Sequence, residues 1–200
     1  MPISRKIVSM TSQTLLNQLV NSVKDYQART IDQPTMAQAG VLIAITDEDN
    51  PHLVLTRRAT HLNTHSGEVA FAGGKRDESD PDIIYTALRE AKEEINLASH
   101  HVTIIGELDQ VVSRFGYVVT PIVGLIPADT EFTANLDELD AVFKVPLRFF
   151  LETQPHDYFE RGKISIPSFH FEGFRIWGLT AMMITEMMNN HLDAKIAIRF

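Results

Sequence analysis

Cysteine is absent from this chain. That removes disulfides, zinc–thiolate centres and thiol nucleophiles together. It fits a reducing compartment, and the expected location is the cytoplasm. Long apolar runs are lacking too. None approaches the roughly 18 residues that a bilayer-spanning helix needs. The segment from Met1 to Met10 carries two basic residues and no apolar core of signal-peptide length, so no membrane role is expected. Basic blocks are missing as well. Lys and Arg number 18 against 26 Asp and Glu, for a formal net charge of -8. Such a chain repels a phosphate backbone, which excludes duplex nucleic acid as the expected partner. Small phosphorylated molecules remain admissible, because a metal ion can screen a local acidic site. No G-x-S-x-G elbow occurs, so a serine hydrolase has no support. Gly73-Gly74-Lys75 lacks the spacing of a phosphate-binding P-loop.

What is present suits one domain with an appendage. The chain has 200 residues, 44% hydrophobic and 22% charged, enough to bury a proper core. Leu15, Leu16, Leu19, Val20 and Val23 recur at helical spacing within 12–27 and predict an amphipathic helix, packed on the main domain or on a second copy of the chain. Residues 28–38 read as a linker. The expected division is therefore 1–38 helix and linker, 39–192 main domain and 193–200 tail. Residues 39–46 and 52–56 flank the turn signal DEDNP and read as a hairpin. A polar loop covers 57–67, and a short strand over 68–71 runs into Gly73-Gly74. Strands are expected within 102–113, 117–126 and 141–147, an aromatic hairpin within 156–177, and a helix over 179–192. Strands interspersed with a few helices predict an α/β or α+β layer fold.

The best-signalled helix spans 81–96. Asp80 is the expected N-cap, Pro81 the first helical residue, and Asn96 the left-handed residue that closes the far end. At about 100° per residue, Ile84, Ala87, Leu88, Ala91 and Ile95 form one stripe that faces the core. Glu90, Glu93 and Glu94 fall together on a neighbouring face. Like charges at this spacing destabilise a helix by about 0.2–0.5 kcal/mol per pair unless a cation sits among them. Hard oxygen donors suit Mg²⁺ or Mn²⁺, and Arg89 beside them can orient a carboxylate. A bare E-x-x-E-E is more often a solvated acidic face. The preceding Gly73 and Gly74 shift that balance, since glycines let backbone approach a ligand or the carboxylate-bearing helix closely.

The segment GGKRDESDPDIIYTALREAKEEINL resembles the Nudix box, the signature of the Nudix hydrolases. Arg89, Glu90, Glu93 and Glu94 match its core. The spacing from Gly74 to Arg89 is one residue longer than in the usual box, Asp80 takes the upstream glutamate place, and Asn96 stands at the final glycine. LTRRATHLNTHSGEVAFAGG (Leu55 to Gly74) is similar to the upstream motif of the coenzyme A diphosphatase branch, as are the extra box residue, GYVVTPIVGLIP and WGLTA. The resemblance covers about 39 to 190. Asn63, Glu68 and Ala72 depart from that branch, which has arginine, glutamine and proline there. The resemblance implies a Nudix fold, a mixed sheet between helices. It implies Mg²⁺ or Mn²⁺ held by Glu90, Glu93 and Glu94, and hydrolysis of a diphosphate in a nucleotide-derivative substrate. Coenzyme A is the first substrate expected. ADP-ribose, dinucleotides and nucleoside triphosphates are the alternatives, and a nucleotide sensor without activity is the alternative of another class. The general base is one of the box glutamates or Glu138, where many Nudix enzymes carry a functional glutamate.

Arg57 and Arg58 are candidates for phosphate binding, with at most one able to face the site because strand side chains alternate. His65, spaced H-x3-H from His61, is expected to touch substrate from the polar loop rather than to bind zinc. Phe71, Phe115, Tyr117, Trp177 and the stripe Met182, Met183, Met187 and Met188 read as packing, with the methionines a candidate homodimer contact.

Overall fold

The computed structural model describes residues 12–61, 67–161 and 164–198. Asn63 and His65 lie outside the described residues. A first helix, α1 (Ser12–Lys24), precedes β1 (Ala37–Asp47), β2 (His52–Arg58), β3 (Val69–Ala70) and β4 (Ala72–Lys75). Then come α2 (Ile83–Ile95), β5 (Thr103–Glu107), β6 (Val111–Val112), β7 (Tyr117–Pro127), β8 (Leu139–Pro146) and α3 (Leu147–Glu152). The chain closes with β9 (Asp157–Arg161), β10 (Ile164–Phe171), β11 (Phe174–Ile176) and α4 (Gly178–Leu192). This is the mixed α+β layer arrangement expected, with the main sheet between helices.

The spine of the sheet is the parallel pair β1–β7, in register from Ala37↔Tyr117 to Asp47↔Pro127. Both strands are buried on both faces and carry nearly unbroken apolar runs, as a central parallel pair requires. β2 follows β1 antiparallel through the tight turn, and β8 pairs along β2. β3 and β4 run in the split where β1 and β2 part: β3 pairs with the end of β2, and β4 with the start of β1.

Period-two alternation sends side chains to two cores. Leu42, Ala44, Val54, Ile122 and Ile126 meet Ala87, Ala91 and Ile95 of α2 on one face. Ile43, Ile45, Leu53, Leu55, Val119 and Val123 meet α1, α3, α4 and the β9–β11 sheet on the other. Each fully buried Leu or Ile contributes about 1.5–3 kcal/mol. Met183, Met187 and Met188 are buried in this second core, so most of the methionine stripe is intramolecular packing. No helix among the described residues is long and apolar enough to cross a membrane.

Three local expectations are corrected. The N-cap of α2 is Asp82, whose carboxylate accepts from the Tyr85 N–H, one turn into the helix. Asp80 is instead buried against Thr86 and Arg89. The strand expected over 68–71 is two strands, β3 and β4, and β4 takes in Gly73 and Gly74 by pairing with β1. The segment 156–177 makes three strands, not a single hairpin. At the other end of α2, Asn96 is left-handed (φ 57°) and donates back to Ala91 and Lys92, the closure its sequence position suggested.

Candidate active site

The site is built where α2 crosses β1 and β4. The crossing is close because glycines line it. A Cβ on Gly40 would lie 2.7 Å from the Ile83 carbonyl oxygen and 3.2 Å from the Ala87 nitrogen. One on Gly74 would lie 2.5 Å from the Glu90 carboxyl carbon. Gly40 and Gly74 are register partners on adjacent strands, so the sheet is bare where the helix presents its carboxylates. A Cβ anywhere on this patch would displace either the helix or Glu90.

The three box glutamates occupy different environments. Glu94 is buried, 5% exposed, and its Oε2 accepts from the Gly73 N–H at 3.2 Å. Burial pushes its pKa up to about 8; the Gly73 hydrogen bond and Arg58 oppose that rise, and the charges of Glu90 and Glu138 add to it. Glu90 is one turn back and also raised, by burial first and then by Glu93 and Glu138, against the pull of Arg89. Glu93 faces solvent and accepts from Arg89 at 3.0 Å.

Arg89 organises the group. Its Nε and Nη2 each donate to Asp80 at 3.1 Å, its Nη2 reaches the Lys75 carbonyl at 3.2 Å, and its Nη1 lies 2.9 Å from Glu90. The Arg89 hydrogen bond is the main reason that the Asp80 carboxylate is held down at about 2. This fork ties the β4–α2 connection to the helix and fixes where Glu90 and Glu93 point. No motif in the sequence marks the Asp80–Arg89 pair beyond the acidic place in the box.

Glu138 comes from the loop before β8. Its backbone carbonyl accepts from Ala59 at the end of β2, while the same loop caps α2 through Asn135 N–H to the Glu94 carbonyl at 2.8 Å and Thr133 N–H to the Ile95 carbonyl at 3.1 Å. The loop therefore bridges β2 and the end of α2, and sets Glu138 where its charge is felt by both Glu90 and Glu94. Arg57 and Arg58 diverge. Arg57 lies 3.6 Å from Asp140 and over the Phe174 ring, on the face away from α2. Arg58 is on the side where its charge reaches Glu94. The Nε atoms of both are buried and have no hydrogen-bond partner among the described residues.

Glu68, one of the departures from the branch motif, is paired with Arg114 at 2.8 Å. Its negative charge is thereby offset by a residue 46 positions away, which no local pattern discloses. Gly73, Gly74, Glu90, Glu93, Glu94, Arg89, Glu138 and Arg58 are thus gathered around one patch, and Arg57 is on the opposite face of the sheet.

Among the described residues no three carboxylate or imidazole groups already converge as a metal cage; Glu93 and Glu90 are turned toward Arg89. The donor chemistry nevertheless fits a hard divalent cation. Two partly or largely buried carboxylates, Glu90 and Glu94, sit one helical turn apart, both raised by burial, and the charge of Glu90 adds to the rise at Glu94, a conflict that a cation between them relieves.

The family model described as a NUDIX domain matches residues 36–157. Proteins described as uncharacterized Nudix hydrolase NudL, from Escherichia coli O7:K1 and from Shigella boydii serotype 18, are each 43% identical over 154 residues, 75% of this chain and 80% of theirs. A solved MutT/nudix family protein from Enterococcus faecalis superposes with a TM-score of 0.52 at 13% identity, over 89% of this chain and 70% of that one, a likeness of fold.

Proposed function

Because the chain belongs to the Nudix hydrolase family and so is a hydrolase of phosphorus-containing anhydrides, we propose that it splits the diphosphate of a nucleoside diphosphate derivative, coenzyme A or a coenzyme A derivative first, giving 3′,5′-ADP and phosphopantetheine. The observation that carries this reading is the Glu90–Glu94 pair seated over the bare glycine patch of β1 and β4. The LTRR…FAGG segment supports the coenzyme A branch. The pairing of Glu68 with Arg114 removes one objection to it.

Glu90 and Glu94, with Glu93, are the residues that would hold Mg²⁺ or Mn²⁺. Such a cation, when bound, neutralises phosphate oxygens and makes water a better nucleophile. The remaining work belongs to the chain. Arg58, whose Nε has no hydrogen-bond partner among the described residues, supplies its guanidinium to the phosphate, where a fork of N–H donors fits two oxygens. Arg89 positions Glu90 and Glu93. Water adds to one phosphorus, the bridging P–O bond breaks, and the water proton passes to a carboxylate, for which Glu138 is free of the helix fork.

The test is product analysis. The purified protein is incubated with Mg²⁺ or Mn²⁺ and a panel of coenzyme A, dephospho-coenzyme A, ADP-ribose, NADH and nucleoside triphosphates. Release of 3′,5′-ADP and phosphopantetheine is the expected result. Cleavage confined to ADP-ribose, dinucleotides or triphosphates would move the substrate to that class. Tight nucleotide binding with no cleavage of any member would refute the catalytic reading in favour of a sensor.

A further inference from the structure

An α-helix leaves the carbonyls of its last turn without partners. Two of these in α2, those of Glu94 and Ile95, are taken by the backbone N–H groups of Asn135 and Thr133. Asn135 does more than fill a vacancy. Its own carbonyl accepts from the Glu138 N–H at 3.0 Å and from the Leu139 N–H at 2.8 Å. Its side-chain Oδ1 accepts from the Asp137 N–H at 3.2 Å. One half-buried residue thus joins the end of α2, beside Glu94, to the turn that carries Glu138.

The segment 135–139 is a single capped turn. An asparagine whose side-chain oxygen accepts from the N–H two residues on acts as a cap. Glu138 lies three residues after it, the place from which a glutamate in a capping box reaches back to the cap residue's own N–H. Here that N–H is already given to the Glu94 carbonyl. The reciprocal bond is not made, and the Glu138 carboxylate has no hydrogen bond or ion pair among the described residues.

The backbone of Glu138, by contrast, is pinned on both sides. Its N–H goes to Asn135, and its carbonyl accepts from the Ala59 N–H at 2.8 Å, next to Arg58. Leu136 and Asp137 lie on the outer side of the turn, exposed, while Glu138 is half-buried. Phe132 and Ala134, just before the turn, pack into the core that α2 shares with the sheet. The carboxylate is therefore the one part of Glu138 left to turn toward the site, where its charge is felt by Glu90 and Glu94.

From this we infer that Asn135 is a positioning residue for turnover. It ties Glu138 to the Glu94 end of α2 and, by giving its own N–H to Glu94, leaves the Glu138 carboxylate unclaimed to accept the proton of the attacking water. This rests on the proposed diphosphatase reading with Glu138 as the base, and adds the residue that sets where the base stands. Asn135 acts through Glu138.

Two measurements test it. In the first, kcat and KM are determined with Mn²⁺ and the diphosphate of the panel that is cleaved best. Asn135→Ala, which removes the Oδ1 acceptor, should lower kcat about 10- to 100-fold with KM and Mn²⁺ affinity changed by no more than about twofold. Asn135→Ser, whose hydroxyl also caps, should recover most of the loss. Glu138→Gln should lower kcat by about 100-fold or more, the scale of a general base. In the Glu138→Gln background, Asn135→Ala should then add no more than about twofold, because a residue that acts through another has nothing left to act on. Should Asn135→Ala fail to fold, Asn135→Gly carries the same comparison at a smaller cost in stability. Unchanged kcat, a fall in Mn²⁺ affinity that matches the fall in kcat, or two substitutions whose effects multiply in full would each overturn the proposal.

The second measurement needs no turnover. Amide hydrogen exchange at Glu138 and Leu139 in the metal-free protein should quicken about fivefold in Asn135→Ala and return in Asn135→Ser. Quickened exchange in a chain that cleaves no member of the panel would uphold the tether and overturn the diphosphatase reading. Unchanged exchange in an active enzyme would overturn the tether and leave the diphosphatase reading standing.

Discussion

Replacing Glu94 by glutamine tests the site through stability before any turnover is measured. The carboxylate is held up at about 8 against an ordinary 4.5. Because the folded value lies above the unfolded one, this group favours the fold fully below pH 4.5, and that contribution is lost as pH rises through about 8. Each unit corresponds to about 1.4 kcal/mol, which sets a ceiling on the order of 5 kcal/mol at pH 9. Relaxation and water entry around a buried charge reduce the ceiling, leaving an expected effect of about 2 kcal/mol. Glutamine keeps the shape and still accepts from the Gly73 N–H, but never ionises. In chelator at pH 9, Glu94→Gln should therefore melt about 4–8 °C above the natural chain, taking roughly 2–4 °C per kcal/mol for a protein of this size. At pH 5 the two should melt together. Saturating Mn²⁺ should reverse the order, because a ligand at a hundred times its Kd adds about 3 kcal/mol to the protein that binds it. Thermal melts at three pH values, with chelator and with Mn²⁺, read all of this. A variant that is less stable than the natural chain at pH 9 in chelator, or a gap that does not change with pH, would refute the buried-carboxylate argument.

Other outcomes follow from the same contacts. Gly40→Ala should lower stability by about 1–3 kcal/mol and weaken Mn²⁺ binding, because its Cβ meets the Ile83 carbonyl and forces α2 off the sheet; urea unfolding and metal titration check it. Asp80→Asn should lower the melting temperature at neutral pH. The gap should close as pH falls from about 4 to 2, since a depressed carboxylate stabilises fully above its unfolded value of 3.8 and loses that contribution as pH falls through its folded value of about 2. Arg58→Ala should reduce kcat/KM by about 10- to 100-fold while leaving the fold intact, with Arg58→Lys recovering only part, as expected where the planar fork matters. Asp109→Ala should cost about 3 kcal/mol in chemical unfolding, because Asp109 is buried and accepts from the Arg29 N–H, the Arg29 Nε and the Tyr26 hydroxyl.

The sequence was most informative where a physical rule is local. The apolar stripe Ile84, Ala87, Leu88, Ala91 and Ile95 follows from helical periodicity, and those side chains do pack together against β1 and β7. Asn96 closes α2 because a short polar side chain tolerates the left-handed backbone. The spacing of Glu90, Glu93 and Glu94 put them on one face of α2 from periodicity alone. Other features were decided only in three dimensions. The cap moved to Asp82 because burial with Arg89 and Thr86 claims the Asp80 side chain. The glycine pair became strand because β1 offers it a register. Burial is what separates Glu94 from Glu93, the same residue type about 100° away around the helix. The Glu68–Arg114 pair depends on segments distant in the chain meeting at the start of β3. Residue type and spacing state which groups can share a face; which of them lose water, and so change their chemistry, is set by what the rest of the fold lays over them.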